Sequence, residues 1–191
     1  DEAPLNDPVI THWLNNPESD AVNSRMHQLG FTEIDPRVEV IYVPCYLNGT
    51  DGIFNMSYYD LLPGADATVF PSYYEPWGYT PLESVAFGVP TVTTSLSGFG
   101  QWVLESFENY FDECGVNVIG RGDSNYRSVV ENIAHSLEYL TEAGEKETKK
   151  IHKAAMNTAS EAAWSKFIRY YDTAYQQAIE KASRRKLSDA D

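Results

Sequence analysis

The sequence predicts an α/β protein built on a doubly wound parallel sheet, with extra helices at its C-terminal end. Short runs rich in β-branched apolar residues alternate with segments of helical periodicity, and the links between them are short. After residue 119 the strand pattern stops and only helical patterns follow. Strands that alternate with helices across short links are typical of parallel sheets with crossover helices.

Five runs have the composition of buried strands, and we predict strands at residues 9–14, 38–43, 67–70, 91–94 and 116–119. Four segments between them predict helices, at residues 19–29, 57–62, 81–87 and 101–109. Gly30 and Gly88 end the first and third of these helices, and Pro63-Gly64 ends the second, because neither residue type continues a helix readily.

Two longer helices are predicted after the last strand. Ser124 is placed to cap the first of them, whose apolar stripe consists of Val129, Val130, Ile133, Leu137 and Leu140. The second carries a stripe of Trp164, Phe167, Ile168, Tyr171, Tyr175 and Ile179. Both stripes favour core packing over a ligand role. We therefore expect a sheet domain over residues 1–163, a C-terminal helix over 164–183 and a frayed tail over 184–191.

Composition and charge exclude several classes of protein. The 191 residues are 42% hydrophobic, enough for a sizeable core, while a mean hydropathy of -0.40 and the lack of an 18-residue apolar run argue against a membrane span. Residues 1–120 hold two cations, Arg25 and Arg37, against 17 carboxylates, a net charge of -15. So acidic a surface disfavours nucleic acid and anionic membranes. Only two cysteines occur, without metal-binding spacing, so we expect a reducing, cytoplasmic location.

The most informative segment spans residues 68–100 and is predicted as strand, loop, helix, strand and loop. Ligands of doubly wound sheets bind beyond the carboxyl ends of the strands, where both loops lie. Thr80 at the N-cap, Pro81 at the first helical position and Glu83 at the third form a predicted capping box, whose free N–H groups would attract phosphate. In the second loop, Gly98 and Gly100 would let backbone amides approach a ligand closely.

Each of these features also has a purely structural interpretation. Glu83 could serve only as the capping partner of Thr80, and Glu75, in the extended backbone before Pro76, could simply be solvated. The aromatic residues of the first loop could be packing residues whose polar tips stay wet: Tyr73, Tyr74, Trp77 and Tyr79. Spacing alone therefore indicates a candidate pocket and leaves its role open.

At this point the segment resembles a known signature. Two glutamates separated by seven residues, here Glu75 and Glu83, are typical of retaining glycosyltransferases of the GT-B fold. The fuller string FPSYYEPWGYTP, followed by the helix and then SLSGFG, is similar to the glycogen synthases of the animal and fungal type. A twelve-residue match in the right strand–loop–helix context is a specific signal. The resemblance implies that residues 1–163 form a Rossmann-like nucleotide-sugar-binding domain.

The resemblance also implies roles for the sugar and the diphosphate of the donor. Glu75 would lie against the donor sugar and bond its hydroxyl groups, as the catalytic residue. Backbone N–H groups around Trp77 and Gly78 would support the same sugar, and those of Tyr79 and Thr80 would face the diphosphate, in agreement with the helix-dipole argument.

Roles for the nucleoside follow in the same way. Glu83 would hold the ribose hydroxyls, since two acceptor oxygens suit a vicinal diol. Tyr58 would stack on the base, although its neighbour Tyr59 leaves that register open by one residue. The implied reaction moves glucose from a nucleotide-sugar, with UDP-glucose favoured over ADP-glucose, to the non-reducing end of an α-1,4-glucan with retention of configuration. No metal or other cofactor is expected.

Two departures from the family pattern shape the prediction. The Arg and Lys that the family uses against the departing diphosphate have no match before residue 120, and the acceptor-binding N-terminal domain is missing. We therefore expect the chain to be a C-terminal part of a longer enzyme, lacking the first strand–helix unit, with 164–183 packing back towards its own N-terminal domain. Such a chain should fold alone but transfer no glucose. An oligomer remains possible.

The second departure concerns regulation. The family carries an Arg-rich helix that binds glucose 6-phosphate, whereas residues 145–160 contain no arginine. We therefore expect no activation by this effector. A different class of function, a non-catalytic nucleotide-sugar or glycan-binding module within a larger glucan-metabolism protein, also stays open. A pyridoxal phosphate-dependent phosphorylase is disfavoured, because residues 1–145 contain no lysine.

Overall fold

A computed structural model describes residues 10–31 and 38–188. The chain divides into two compact units, Asp1–Leu61 and Leu62–Asp191, which we describe separately. Within the described residues, no helix combines the length and the apolar character needed to cross a membrane.

The first unit is built around one helix, α1 (Ala21–Leu29). Asp20 caps it by accepting a hydrogen bond from the Asn23 N–H at 2.7 Å, and Gly30 ends it at φ 79°, as the sequence predicted. Met26, a buried residue of this helix, packs with Ile10 in a small apolar cluster. A short helix, α2 (Tyr58–Leu61), closes the unit.

The two strands predicted in this unit do not form a continuous ladder of backbone hydrogen bonds in the described residues. Within the described residues of 9–14 and 38–43, the pairing between them is a single parallel bridge, Ile10 to Tyr42. The Thr11 N–H donates to the Tyr42 carbonyl at 3.0 Å. Within the described residues the prediction of two full strands is wrong, because a single parallel bridge gains too little to extend into a strand pair. Val9 and residues 32–37 lie outside the described part.

The second unit contains a three-stranded parallel sheet in the order β1 (Thr68–Val69), β2 (Thr91–Thr94) and β3 (Val116–Ile119). Its pairing register sets Thr68 beside Thr91 and Thr91 beside Val116. The α-helices of this unit are α3 (Tyr79–Ala86), α4 (Gly98–Ser106), α5 (Phe111–Cys114), α6 (Tyr126–Glu142), α7 (Glu145–Glu161) and α8 (Trp164–Ser188). This confirms the predicted α/β class and all three predicted strands of the unit.

Apolar clusters cover both faces of the sheet, as a doubly wound arrangement requires. On one face Val116 and Val118 pack with α3 and α4 through Val85 and Phe99. On the other face a second cluster joins β2 and β3 to α6 and α7: Val92, Ile119, Val129 and Ile151. The alternation of strand side chains explains the two clusters, because neighbouring residues of one strand point to opposite faces.

A seam of three hydroxyl groups joins α3 to the sheet. The Thr68 hydroxyl lies 2.6 Å from Ser84 Oγ and 3.0 Å from Thr91 Oγ1, and Thr91 donates to Ser84 Oγ at 2.9 Å. Ser84 and Thr91 are fully buried. Buried hydroxyls are tolerated here because each finds a partner within the seam.

Three details of the C-terminal helices differ from the prediction. Asn125, not Ser124, is the N-cap of α6, and its side chain instead binds the Gly122 N–H and the Gly120 carbonyl. The predicted tail is helical as far as Ser188, because its Arg and Lys residues suit a helix C-terminus. On α6, Val129 is buried, whereas Val130 is 47% exposed.

The apolar stripe of α8 is the larger difference. Phe167 packs against the aromatic core, but Trp164, Tyr175 and Ile179 are each at least 60% exposed. Core packing of the whole stripe is therefore wrong within the described residues, because a periodic pattern defines an apolar face without specifying what covers it. The predicted packing of 164–183 onto an N-terminal domain stays a prediction.

Candidate functional site

The loops after β1 and β2 meet at the carboxyl edge of the sheet, and Glu75 lies at their junction. The Glu75 N–H donates to the Leu96 carbonyl at 3.1 Å, and the Glu75 carbonyl accepts from the Gly98 N–H at 3.0 Å. The next contact along, from the Phe99 N–H to the Trp77 carbonyl, measures 2.6 Å. Three backbone hydrogen bonds therefore fix the main chain on both sides of Glu75.

The two glycines of the second loop have a different purpose from the predicted one. They lie in the first turn of α4, which Ser97 caps by accepting from the Gly100 N–H at 3.0 Å. A Cβ at Gly98 would collide with the Pro76 carbonyl oxygen, and a Cβ at Gly100 would collide with the Thr94 carbonyl oxygen. Their amides are engaged within the protein, so approach to a ligand is not the reason for glycine here. Glycine is required by close packing: Gly98 lies against the loop after β1, and Gly100 lies against the end of β2.

Helix α3 begins earlier than the sequence predicted. Its N-cap is Gly78, so Tyr79 is the first helical residue, Pro81 the third and Glu83 the fifth. The predicted capping box of Thr80 and Glu83 is therefore wrong. Proline is tolerated as late as the third position, because the first N–H groups of a helix have no partner within it. Glu83 is half-buried and one turn along from Tyr79, so its interpretation as a capping partner no longer applies.

Gly78 allows the Glu75 side chain to lie beside the start of α3. Its φ of 108° favours glycine, and a Cβ there would lie 3.1 Å from Pro81 Cγ and 3.4 Å from Glu75 Cγ. The carboxylate stem thus passes next to the first turn, where the N–H groups of Tyr79 and Thr80 have no helical acceptor. The side chain that carries an acceptor group and the helix end that carries two free donors therefore lie side by side.

The aromatic residues of the first loop divide into two groups. Trp77 packs edge-on against Phe99 and Phe167, with ring centroids 6.1 and 5.4 Å apart, so packing accounts for its side chain. This cluster borders a cavity of about 580 Å³ with a largely aromatic lining. Tyr74 and Tyr79, in contrast, are 81% and 71% exposed.

Tyr58 belongs to the first unit and is described there on its own. It begins α2, its N–H donates to the Leu47 carbonyl at 3.0 Å, and its ring meets that of Tyr59 edge-on at 5.4 Å. Tyr58 is half-buried, whereas Tyr59 is 52% exposed. Base stacking by Tyr58 stays a prediction.

Arg121 is the residue of this edge that the sequence reasoning missed. It follows β3 and its guanidinium reaches the loop after β1, where Nη1 donates to the Pro71 carbonyl at 2.6 Å. The Arg121 Cζ lies 3.5 Å from the centroid of the Tyr73 ring. No carboxylate within the described part of the chain forms an ion pair with it. The sequence offered one signal, a cation two residues after a predicted strand. It was overlooked because Arg121 lies just outside residues 1–120, the stretch in which Arg25 and Arg37 are the two cations.

Residues that could hold a metal ion do not cluster in the described ranges 10–31 and 38–188, where no three His, Cys, Asp or Glu side chains gather suitably. The donors and acceptors at the sheet edge are instead backbone N–H groups, the Glu75 carboxylate and one guanidinium. Such a set can bind hydroxyl groups and anionic oxygens together.

The parallel sheet, the start of α3 and the loop that carries Glu75 together define a Rossmann-like α/β unit. Its candidate site for anions and hydroxyl groups lies at the carboxyl edge of the strands. Comparison with known families agrees: the family model described as glycogen synthase matches residues 4–190. The chain belongs to the glycogen synthase family.

Individual relatives give the extent of this similarity. Glycogen [starch] synthase isoform 1 of Saccharomyces cerevisiae is 35% identical over 137 residues, which is 71% of this chain and 19% of the relative. Isoform 2 is 33% identical over the same length and coverage. The glycogen [starch] synthase of Neurospora crassa is 28% identical over 176 residues, 92% of this chain and 25% of the relative. The chain thus spans about a fifth to a quarter of the length of these relatives.

Proposed function

We propose that this chain is the donor-binding part of a retaining glucosyltransferase that extends an α-1,4-glucan from a nucleotide-sugar. The family membership supports glycogen synthesis as the process. The longer enzyme would supply the acceptor surface through an N-terminal domain, and the present chain would hold the donor. UDP-glucose is the favoured donor, and the site would work without a metal.

One observation carries the proposal: the Glu75 side chain lies beside the first turn of α3. A nucleotide-sugar places sugar hydroxyls directly next to a diphosphate, so its binding site needs acceptors and anion-binding donors side by side. Glu75 supplies the acceptor oxygens, and the N–H groups of Tyr79 and Thr80 supply the donors at the positive end of the helix.

The Glu75 carboxylate and the helix N–H groups meet more charge on the donor in the transition state than in the ground state. Transfer with departure of a nucleoside diphosphate develops positive charge on the sugar and negative charge on the leaving group. The Glu75 carboxylate stabilises the first, and the helix N–H groups stabilise the second. Because the main chain at Glu75 is fixed by three hydrogen bonds, the carboxylate needs little reorganisation during the reaction.

The nucleoside would be held farther along the same helix. Glu83 lies four residues after Tyr79, and therefore on the same side of α3. We assign it to the ribose hydroxyls and assign Tyr58 to the base.

The test is a donor titration on the longer enzyme by calorimetry, with UDP-glucose and ADP-glucose side by side, followed by transfer to glycogen. We expect binding of UDP-glucose to be at least about tenfold tighter than that of ADP-glucose, together with transfer. Binding of either donor without any transfer would instead identify a non-catalytic nucleotide-sugar module. Absence of binding by both would refute the donor site.

A further inference from the structure

Arg121 connects all three strand ends at the carboxyl edge of the sheet. Its backbone N–H donates to Ser95 Oγ at 3.0 Å, in the loop after β2, and the Ser95 N–H donates to the Ile119 carbonyl at 2.9 Å. Its guanidinium crosses to the loop after β1, fifty residues away, where it meets Pro71 and Tyr73. One residue therefore holds both neighbouring loops.

The loop after β1 has few other constraints before Glu75. Sheet pairing ends where the Phe70 N–H donates to the Val92 carbonyl at 2.8 Å. Beyond it, the Thr94 hydroxyl donates to the Ser72 carbonyl at 2.7 Å, and the next tie to the second loop is that of Glu75 itself. Within the described residues, five hydrogen-bond and cation–π contacts join residues 71–75 to neighbouring segments, and the guanidinium of Arg121 makes two of them.

The chemistry of these contacts requires arginine. A planar guanidinium can cover an aromatic ring with its face while an edge N–H donates in the plane, and an ammonium group cannot do both in this way. Arg121 Nε is buried without a hydrogen-bond partner among the described residues, which is a cost. The side chain is held there despite that cost, so the contacts to Pro71 and Tyr73 outweigh it.

We propose that Arg121 is a positioning residue that fixes the loop 71–75 and, through it, the Glu75 carboxylate beside Gly78. The inference rests on the proposed function in one respect, the role of Glu75 in transfer. Arg121 itself touches neither the helix start nor Glu75 in any contact that the structure shows, so its effect on the reaction passes through the loop.

The experiment compares Arg121→Ala, Tyr73→Ala and the pair of both in the longer enzyme. We call the contacts of Arg121 to Pro71 and Tyr73 the clamp. Loss of the clamp displaces Glu75 but leaves the N–H groups at the start of α3 in place. We therefore expect kcat to fall about tenfold or more, while KM for the donor stays within about threefold. The double variant should be no worse than Arg121→Ala, because Arg121→Ala already removes the ring contact that Tyr73→Ala removes.

Matched controls separate the clamp from general effects. Arg127→Ala removes a surface arginine that forms an ion pair with Glu131 one turn away, and Tyr73→Phe keeps the ring under the guanidinium. Both should retain the kinetics of the unmodified enzyme. Arg121→Lys keeps the charge without the planar fork, and serves as the second variant if the alanine variant does not fold. It should show the same kcat loss to a smaller degree.

Hydrogen exchange provides a readout independent of activity. Amides of residues 72–75 and 77 should exchange about tenfold faster in Arg121→Ala, with those of α6 unchanged. Unchanged exchange in that loop, or a kcat within about threefold of the Arg127→Ala control, would overturn the clamp. Full activity of Glu75→Gln would instead refute the proposed function, and the exchange result alone would then decide the inference.

Discussion

Replacing Gly98 by alanine should disturb the site without touching any ligand. The new Cβ would collide with the Pro76 carbonyl oxygen and lie 3.1 Å from Trp77 Cα. Both are backbone atoms of the loop that carries Glu75, so no side-chain rotation relieves the contact. The two loops must separate by about 1 Å before ordinary van der Waals distances return.

The magnitude follows from what that separation breaks. The hydrogen bonds from the Gly98 N–H to Glu75 and from the Phe99 N–H to Trp77 would lengthen together, at about 1 kcal/mol each. Adding overpacking strain gives a destabilisation of about 2–4 kcal/mol, seen as a fall of several degrees in Tm. A misplacement of about 1 Å at the reacting group should lower kcat about a hundredfold.

Thermal unfolding and glucosyl transfer by the longer enzyme measure the two effects. Gly122→Ala is the matched control, because a Cβ at Gly122 meets nothing within 4 Å. A Gly98→Ala variant whose Tm and kcat both equal those of Gly122→Ala would refute the loop-contact reasoning. A fall in Tm with full activity would refute the link between this contact and the placement of Glu75.

Three further predictions concern the same enzyme. Glu75→Gln should lower kcat at least about a hundredfold with little change in donor affinity, as steady-state kinetics and calorimetry will show; activity within a few-fold of the parent contradicts its role. Tyr58→Ala should weaken UDP and UDP-glucose binding alike, by roughly 1–3 kcal/mol, whereas the same effect from Tyr59→Ala alone would shift the stacking residue by one. Glucose 6-phosphate should not activate transfer, because residues 145–160 lack arginine and Lys150 is already bound by a carboxylate at 2.7 Å; activation of about tenfold in a rate assay would overturn this.

Local signals in the sequence were sufficient for much of the second unit. The buried strands 91–94 and 116–119 were predicted to the residue, because uninterrupted apolar and β-branched runs bounded by glycine and proline leave few alternatives. In the first unit, Gly30 ends α1 as predicted because its positive φ is a local requirement. Where backbone preference alone decides an element, the sequence is enough.

Features that depend on contacts between distant segments were not predictable in this way. Thr80 and Pro81 have the composition of a helix start, yet the loop contact at Gly78 begins the helix earlier. Gly98 is glycine because of Pro76, twenty-two residues away, and Arg121 acts on Pro71 across fifty residues. Periodicity contains no information about such partners, so only the assembled fold identifies them.

The hydroxyl seam beneath α3 has a consequence for how the anion site is prepared. Apolar contacts let a helix slide or rotate by a fraction of an ångström at little cost, whereas hydrogen bonds depend on direction. Thr68, Ser84 and Thr91 therefore fix the rotation of α3 about its own axis as well as its distance from the sheet. Its first N–H groups point in one direction before any anion arrives, so the helix contributes a dipole that is already aligned with the charge it would stabilise.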